Sequence, residues 1–570
     1  MKIIFNIIFA FIFINTSFTQ WSANTSVNNM VVNAGGNQLG VKTITDGDFG
    51  IIMVWEDQRN GGSSNRDVYA QRIDKFGVKQ WGDSNGLPIA IKPVTERYYD
   101  ICTDGKGGAI ILWDDNPLPT VTYLKGQRIS KTGQKLWSDT GKVIAYDGFR
   151  QSGAKIISDG AGGCFVAYQS SELNSSDFDL KANRLDSNGN KLWGTGVWFC
   201  QLDGNQYDLV AIKTSDNNYV VSWRDGRTGK VTELDIFAQK ISSTGTVMWT
   251  PNGITVCNAR FTQEYQDMYP DNSGGFYIAW CDRRDSIQID IYAQRFRANG
   301  TNVFTANGIP LCLSPESQFR PYFTTDMKGG VICTWNDFRN GPSAPFNIDI
   351  YAQRIDSNGV MKWVANGVQV CNAPLSQNNQ SILSDGNYGA VIAWDDRRNG
   401  TSVYEVYAQR IDSSGNLLWD TTDVLVSNAP GNQYRPLGVV SNNGFIFSFE
   451  DTRQGLSNYD IYAMKITLNG TLVNITKNEY INPEGYKLSQ NYPNPFNPET
   501  KIEFSIPVDE FVELIIFDIT GKQVVKLLSQ NFSSGNYTVN FRANNLSSGV
   551  YFYTLKTKNI SLSKKFTLIK

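Results

Sequence analysis

The sequence predicts an all-β protein, an eight-bladed β-propeller followed by a small β-sandwich. Three observations predict this fold. An apolar run that ends in an aromatic residue recurs eight times, with a period near 56 residues. Each period holds β-branched and aromatic runs separated by turns rich in Gly and Asp, the pattern of about four short strands. No long stretch carries a helical period. Four strands in each of eight repeats is the arrangement of a β-propeller.

The composition of the 570 residues excludes several classes of function. There are 52 Lys and Arg against 54 Asp and Glu, and no histidine. The balanced charge argues against a nucleic-acid partner, which needs a basic face. Without histidine, Ser-His-Asp and Cys-His nucleophiles and His-ligated zinc or haem are excluded. Any chemistry must therefore use carboxylates, Tyr, Arg, Lys, Cys or a bound ion.

The first twenty residues have the pattern of a signal peptide. Lys2 provides the positive start, residues 3–14 are apolar except Asn6, and residues 17–19 form a small-residue cleavage region. The alternative is a membrane anchor, but the run is short for a bilayer. We interpret residues 1–20 as a cleaved signal peptide, and predict no membrane span after cleavage.

One recurring aromatic residue marks each repeat unit. These residues are Trp55, Trp113, Tyr168, Trp223, Trp280, Trp335, Trp394 and Phe449. A variant of the motif DIYAQR, as at residues 290–295, follows in each unit and leads to a Gly turn. In most units a second Trp comes four residues after that Gly, as in Gly77 and Trp81.

The Gly-x-x-x-Trp turn resembles the tryptophan-docking motif of eight-bladed quinoprotein propellers. The resemblance implies that each second Trp packs between adjacent blades. The match is partial, because the upstream acids Asp74 and Asp186 lie one residue closer to the Gly than in that family. The resemblance therefore carries over the structural role of the Trp but no quinone chemistry.

The two ends of the repeat region predict a closed ring. Residues 21–32 match the segment that follows the second Trp elsewhere, and the last unit stops after its third strand at residues 460–466. The N-terminal strand is therefore predicted to complete the last blade, which removes an exposed sheet edge. Seven blades with a stray unit and an open array are the alternatives.

The eight cysteines do not predict disulfides. Cys200, Cys257, Cys312 and Cys371 fall at one repeated position, and equivalent positions of neighbouring repeats are unsuited to the short Cα separation of a disulfide. No Cys-x-x-Cys motif occurs. We interpret most of these cysteines as small buried apolar residues.

An acid follows the aromatic residue by two positions in seven units, and an Arg follows that acid by two positions in six. The acids are Asp57, Asp115, Asp225, Asp282, Asp337, Asp396 and Asp451. Such carboxylates suit acid–base catalysis or a hard cation. Because they recur in step with Arg, we favour structural Asp–Arg pairs. No cofactor is predicted, and a structural Ca²⁺ is left as an open alternative.

Binding is predicted on the face that collects the loops leading into the first strands. The aromatic and Arg residues there are Tyr98, Arg150, Tyr207, Tyr265, Phe319, Arg320, Tyr434 and Arg435. Such side chains suit sugars or peptides, although packing of the channel mouth is an equal alternative. The second and third units depart from the Asp–Arg pattern, which indicates either sequence drift, the reading we favour, or a binding sector.

The C-terminal segment differs in pattern from the repeats. It holds NYPNPFNP at residues 491–498, Gly521 and Lys522, SGVYFY at residues 548–553, and a basic end at Lys570. Alternating apolar residues and Gly turns predict a sandwich of about seven strands. We place the propeller at residues 21–475, a linker at 476–485 and the sandwich at 486–570.

Residues 486–570 closely resemble the type A C-terminal sorting domain of type IX secretion cargo, and are also similar to the Ig-like domain of the flagellar-hook-cap type. The resemblance implies export to the cell surface or the medium, and the secretion machinery as a partner. It implies nothing about the activity of the repeats.

For the repeats we favour non-catalytic binding or adhesion to a glycan or a protein, with no catalytic residue assigned. A polysaccharide hydrolase or lyase with a carboxylate, Tyr or Arg site is one alternative, although neither a sialidase-type Asp box nor a singular catalytic cluster is present. A structural surface-layer protein is the other.

Overall fold

The computed structural model describes residues 21–569 except 62–65, 92–95, 119–120, 147–149, 172–176, 228–232, 342–346, 420–422, 456, 479–482, 533 and 544–545. The predicted signal peptide lies outside the described residues. In the described part the regular elements are all β-strands, as the sequence predicts. The chain divides into two compact units, one at Ser22–Gly470 and one that contains Thr471–Lys570.

The first unit contains the repeats. Strand β1 (Asn29–Val32) comes before them. The next strands are β2 (Gln38–Thr45), β3 (Ile51–Asp57), β4 (Asp67–Ile73), β5 (Leu87–Ala90), β6 (Glu96–Thr103), β7 (Ala109–Leu118), β8 (Val121–Ile129), β9 (Lys142–Ala145), β10 (Arg150–Ser158), β11 (Cys164–Ser171), β12 (Asp179–Leu185), β13 (Val197–Cys200), β14 (Gln206–Lys213), β15 (Tyr219–Asp225), β16 (Asp235–Ile241) and β17 (Ile254–Cys257).

The later repeats continue the same order. Their strands are β18 (Gln263–Pro270), β19 (Phe276–Asp282), β20 (Asp290–Phe296), β21 (Ile309–Cys312), β22 (Gln318–Thr325), β23 (Val331–Asp337), β24 (Asp349–Ile355), β25 (Val368–Cys371), β26 (Gln377–Ser384), β27 (Ala390–Asp396), β28 (Glu405–Ile411), β29 (Val424–Ser427), β30 (Gln433–Ser441), β31 (Gly444–Asp451) and β32 (Asp460–Thr467).

Four strands pair antiparallel in chain order within each repeat, as in the sheet β2-β3-β4-β5. The sheets β6-β9 and β10-β13 are joined by one parallel pair, Thr122 with Arg150. The last sheet has the order β1-β32-β31-β30, so the N-terminal strand occupies the position of the fourth strand there.

Successive sheets pack face to face through apolar cores. Strand β19 is buried along its whole length, and one core cluster joins its Ala279 to Trp335 of the next sheet. A second-strand aromatic such as Trp223 is fully buried. The close approach requires glycine: a Cβ on Gly253, at φ +90°, would lie 2.5 Å from the Trp223 ring.

The second Trp of a repeat contacts the turn of the following repeat. Trp193 lies against Gly245, where an added Cβ would come within 3.0 Å of the indole. Trp81 Nε1 donates to the carbonyl oxygen of Lys131 at 3.0 Å, and Trp249 Nε1 donates to that of Ala298 at 3.2 Å. These contacts match the inter-repeat packing expected of the Gly-x-x-x-Trp turn.

The first strands of successive sheets contact one another in chain order, and β30 contacts β2. A backbone bond accompanies most of these junctions, as from Gln206 N to Phe178 O at 3.1 Å. The same bond joins the last sheet to the first, from Gln38 N to Tyr459 O at 2.7 Å. Lys465 Nζ also reaches Lys75 O, at 3.4 Å.

The second unit consists of two four-stranded sheets in the part of the chain that is described. Its strands are β33 (Val473–Asn478), β34 (Lys487–Leu488), β35 (Glu499–Ile506), β36 (Glu510–Phe517), β37 (Gln523–Phe532), β38 (Gly535–Arg542), β39 (Gly549–Lys556) and β40 (Ser561–Leu568). The sheet orders are β33-β38-β35-β34 and β37-β36-β39-β40.

One hydrophobic core lies between these two sheets and includes Phe504 of β35 and Leu514 of β36. Strand β33 covers the end of the predicted repeat region and the start of the predicted linker, and it pairs with β38. Two of the motifs meet in the core, since Asn491 N donates to the hydroxyl of Tyr553 at 2.8 Å.

Candidate functional site

The repeated acids lie in buried pairs with the repeated arginines. Asp282 Oδ1 accepts from Arg284 Nε at 2.9 Å, and its Oδ2 accepts from Arg284 Nη2 at 2.6 Å and from Trp280 Nε1 at 2.7 Å. The guanidinium of Arg284 also lies 3.6 Å from the ring centre of Tyr292. Because both carboxylate oxygens accept hydrogen bonds, this acid is a structural part of the repeats that contain it.

A second set of pairs holds the turn between the first two strands. Asp326 Oδ1 accepts from the backbone N of Lys328 and Gly330, at 2.7 Å each, and its Oδ2 accepts from Arg354 Nε at 2.9 Å. Arg354 Nη1 continues to Ser413 O of the following repeat at 3.0 Å. The Arg of the repeated DIYAQR motif therefore links neighbouring sheets.

A cavity of about 560 Å³ lies among the first strands β2, β18, β22, β26 and β30. We call it the inner cavity. Its polar lining consists of Lys42, Thr43, Asp267, Tyr322, Asn379, Gln380, Ser381, Arg435 and Glu450. A smaller cavity of about 340 Å³ adjoins β10, β14 and β18, and Lys155, Asp208 and Tyr265 are among its lining residues. Most of these side chains differ from unit to unit, unlike the Asp–Arg pairs.

In most first strands the third residue, or the fourth in β10, has a left-handed backbone at the edge of this region. Gly40 and Gly153 occupy the position with φ of +65° and +60°. Tyr265, Arg320 and Arg435 occupy it with φ of +56°, +55° and +52°. This conformation suits Gly and costs other residues about 1–3 kcal/mol. A β-bulge follows at the same place, as between Phe319 and Tyr322.

The side chain directly after the aromatic residue reaches towards the next repeat and caps that bulge. Asp395 Oδ2 accepts from the backbone N of Arg435 at 3.1 Å and from Asn379 Nδ2 at 2.7 Å. Glu450 Oε1 accepts from Gly40 N at 2.7 Å, which joins the last repeat to the first. The residue at this position varies along the chain, unlike the Asp that follows it.

Three carboxyl groups of this region have a pKa that burial raises above its ordinary value. Burial raises the pKa of Asp267 to about 6, against the bonds its carboxylate accepts from Phe323 and Met268 N. Burial likewise raises the pKa of Asp395 to about 6. The pKa of Glu450 is also raised by burial, while Arg435, 3.9 Å away, opposes the shift. Perturbed acids in a cavity are typical of functional sites.

Basic groups lie on the same walls. Lys42 Nζ pairs with Asp100 Oδ1 at 3.1 Å, and Asp100 Oδ2 accepts from Ile156 N at 3.3 Å. Burial lowers the pKa of Lys155, with the nearby charge of Lys42 acting in the same direction. Arg320 Nη1 donates to Asn379 Oδ1 at 3.0 Å.

The structure places the sequence-predicted site residues at the starts of the first strands. Tyr265, Arg320 and Arg435 are the exposed left-handed residues, and Arg150 begins β10 and is exposed. The side chain of Tyr98 lies outside the described part. Arg435 lines the inner cavity and Tyr265 lines the smaller one.

The remaining predicted residues, Tyr207, Phe319 and Tyr434, are the second residues of their strands and are half-buried. Tyr434 packs against Tyr404 at 4.7 Å and Tyr459 at 6.0 Å between ring centres. Sequence reasoning missed Asp267, Asp395 and Glu450. The signal for the last two was a position that varies while both of its neighbours repeat.

The two irregular repeats differ from each other. In the second, Lys125 replaces the missing Arg and pairs with Asp115 at 2.5 Å. In the third, the side chains of Gln151, Ser170 and Ser171 are buried and have no hydrogen-bond partner within the described chain.

The described cysteines are all free and buried, as interpreted from the sequence. Burial raises the pKa of Cys200 and of Cys257 to about 12, so both remain thiols at neutral pH. In the described ranges, no group of three or more Cys, Asp or Glu residues is arranged to hold a metal ion. Within the same ranges, no helix has the length and apolar character to cross a membrane.

Comparison with known proteins identifies the C-terminal segment. The family model described as "Secretion system C-terminal sorting domain" matches residues 490–570. This domain of type IX secretion indicates export to the cell surface or the extracellular space, and engagement with that secretion machinery. The localisation predicted from the sequence is therefore confirmed. No curated protein matches the chain.

Solved structures show only distant likeness. Polysaccharide lyase Uly1 is 8% identical, covering 72% of this chain and 93% of its own, with a TM-score of 0.32. A protein of unknown function from Dyadobacter fermentans is 9% identical, covering 56% and 95%, with a TM-score of 0.32. An endo-arabinase from Bacteroides thetaiotaomicron is 13% identical, covering 55% and 93%, with a TM-score of 0.28.

Proposed function

We propose that the repeats form a closed eight-bladed β-propeller and that this exported protein binds a glycan in the inner cavity. We further propose that residues 1–20 are a cleaved signal peptide and that the C-terminal sandwich is Ig-like. The observation that carries the function is the set of polar side chains, Asp267, Tyr322, Asn379 and Arg435, that line one cavity of about 560 Å³.

The ring proposal rests on the bonds that join the last repeat to the first. Gln38 N bonds to Tyr459 O as its equivalents do elsewhere, and Glu450 caps the bulge at Gly40. In the last sheet, Arg453 Nη2 donates to Asn28 Oδ1 at 2.8 Å. The N-terminal segment therefore provides the hydrogen-bond acceptor that the loop before the fourth strand provides in other repeats. Closure of this kind removes both free sheet edges.

A glycan suits the inner cavity better than an apolar ligand does. Sugar hydroxyls donate to carboxylate and amide oxygens and accept from amide and guanidinium N–H groups, and the cavity offers all three groups. Tyr322, 40% exposed, provides an aromatic surface beside Asp267. A cavity of this size encloses a small number of sugar residues.

A polysaccharide hydrolase is the second candidate function, and Asp267 favours it. Its carboxyl group lies in the cavity with a pKa of about 6, which suits a general acid. Glu450 lies on the same cavity and offers a second carboxyl group. Glycoside hydrolysis uses two such groups, one as acid and one as base or nucleophile.

A titration of the full chain with a panel of polysaccharides tests binding, and assay of released reducing ends tests catalysis. Replacing Tyr322 with Ala should weaken binding about tenfold, because an exposed aromatic contact is lost. Tyr388→Ala is the matched control, since Tyr388 is 43% exposed and lies in the turn between β26 and β27. Binding that Tyr322→Ala leaves unchanged contradicts the site.

Product release that is abolished by Asp267→Asn, and retained by the exposed-site control Asp139→Asn, favours the hydrolase. Binding without product release favours the non-catalytic role. A chain that binds none of the polysaccharides overturns both proposals and leaves the structural surface-layer alternative.

A further inference from the structure

Two arginines lie on either side of one asparagine at the edge of the inner cavity. Arg320, Asn379 and Arg435 are the third residues of the consecutive first strands β22, β26 and β30. Both arginines are exposed, and Asn379 is half-buried. A chain of hydrogen bonds connects them: Arg320 Nη1 to Asn379 Oδ1, Asn379 Nδ2 to Asp395 Oδ2, and Arg435 N to that same oxygen.

Neither guanidinium has a close carboxylate partner among the described residues. Arg320 forms no ion pair there, and Arg435 Nη1 lies 3.9 Å from Glu450 Oε1. By contrast, the structural Arg284 bonds its acid at 2.6 Å. The two nearby buried acids accept hydrogen bonds from other groups, Glu450 from Gly40 N, and Asp395 from Arg435 N and Asn379 Nδ2. Most donors of Arg320 and Arg435 therefore face solvent at the cavity edge.

Folding does not require a cationic side chain at these positions. Gly40 and Gly153 occupy the equivalent positions with the same left-handed backbone. Arg is poorly suited to this conformation, so its presence at two neighbouring positions needs another explanation. A ligand that the two side chains bind supplies that explanation.

We propose that the glycan bound in the inner cavity is acidic and that Arg320 and Arg435 bind its anionic groups. This inference rests on the glycan-binding function proposed above. A planar guanidinium binds carboxylate or sulfate oxygens with two parallel hydrogen bonds, which a neutral sugar does not match. Arg435 lines the cavity and Arg320 bonds to Asn379, which also lines it, so the two groups suit a polymer with repeated negative charges.

Binding of three polysaccharides to the full chain tests the proposal. Alginate carries carboxylates, κ-carrageenan carries sulfates, and laminarin is neutral. We expect binding of one of the acidic polymers and not of laminarin, with affinity that falls as NaCl increases. The acidic polymer that binds identifies the anionic group as carboxylate or sulfate.

The decisive variants are Arg320→Gly and Arg435→Gly, because glycine already occupies the equivalent position in two repeats. Each should weaken binding of the acidic polymer about tenfold, through loss of charge-assisted hydrogen bonds, with the unfolding temperature maintained. Arg297→Gln is the control: Arg297 is exposed in the turn after β20, and its Nη1 donates only to Asn302 O.

The outcomes distinguish the proposed role of the two arginines from the proposed glycan binding on which it rests. Binding of laminarin alone overturns the acidic class and retains glycan binding. Acidic binding that both glycine variants retain overturns the role of the two arginines. Failure of all three polymers to bind overturns the inference, and the wider panel then decides whether glycan binding itself stands.

Discussion

Asp395 and Asp396 are neighbours in β27, yet they belong to two different regions of the molecule. Because side chains alternate along a strand, they point to opposite faces of the sheet. Asp396 accepts from Trp394 Nε1 at 2.8 Å and from Arg398 Nη2 at 2.6 Å within its own repeat. Asp395 accepts from Asn379 and from the backbone of Arg435 in the next repeat.

The comparison shows that partners, and not residue type, decide the role of an acid here. The Asp residues that follow the aromatic residues by two positions have a cation within hydrogen-bond distance and are part of the framework. The acids near the inner cavity have neutral partners, and burial raises the pKa of Asp395 and of Asp267 to about 6. A group of that kind exchanges protons and hydrogen bonds with a ligand at neutral pH.

The largest effect expected from this difference is on stability. Replacing Asp396 with Ala removes one of the two carboxylate partners of the half-buried Arg398 guanidinium, which keeps Asp423 at 2.8 Å, and removes the acceptor of the buried Trp394 indole N–H. The free energy of unfolding should therefore fall by about 2–4 kcal/mol. Urea denaturation of the repeat region measures the change. The control Asp139→Asn should change it by less than about 0.5 kcal/mol. A loss below about 1 kcal/mol for Asp396→Ala would show that the pairs are not structural.

An intermediate effect on stability is expected at Asp460, the first residue of the DIYAQR-type motif in the last repeat, because this buried acid lacks a hydrogen-bond partner among the described residues. In the first repeat the equivalent Asp67 accepts from Asn60, but both oxygens of the buried Asp460 lack a partner among the described residues. Burial, with Asp451 nearby, raises the pKa of Asp460 to about 7.

The raised pKa sets the pH dependence expected for Asp460→Asn. The unfolded chain ionises near pH 3.9, so the ionised carboxyl group disfavours folding once the pH rises above that value. The variant should be more stable than the parent by about 1–3 kcal/mol at pH 8. This gain should decrease from pH 7 downwards and vanish near pH 4. A gain that is independent of pH would contradict the assignment.

The smallest effect on stability is expected at the cavity edge. Tyr265→Gly should leave the free energy of unfolding within about 1 kcal/mol, because relief of the left-handed conformation offsets the added freedom of the unfolded chain. The same variant should weaken glycan binding if the smaller cavity contributes to the site. A loss of several kcal/mol would show that the edge residues belong to the framework.

Much of the framework was predictable because it is repeated. The period and the Gly turns predicted four strands for each unit. The resemblance to the tryptophan-docking motif implied that the second Trp packs between adjacent units, and Trp193 lies against Gly245 of the next repeat. Asp and Arg in step predicted the pairs. The cavity acids were not predictable, because Asp267 and Glu450 lie far apart in the chain and neither repeats.

The sequence by itself determined the all-β class, the repeat, the paired acids and the C-terminal sorting domain, because each depends on local patterns or on residues close together in the chain. Only the tertiary structure decided which acids lack a cation and which side chains share the inner cavity. Arg320, Asn379 and Arg435 are separated by more than fifty residues each and meet only because consecutive first strands lie side by side. That juxtaposition depends on the packing of whole sheets, which no local pattern contains.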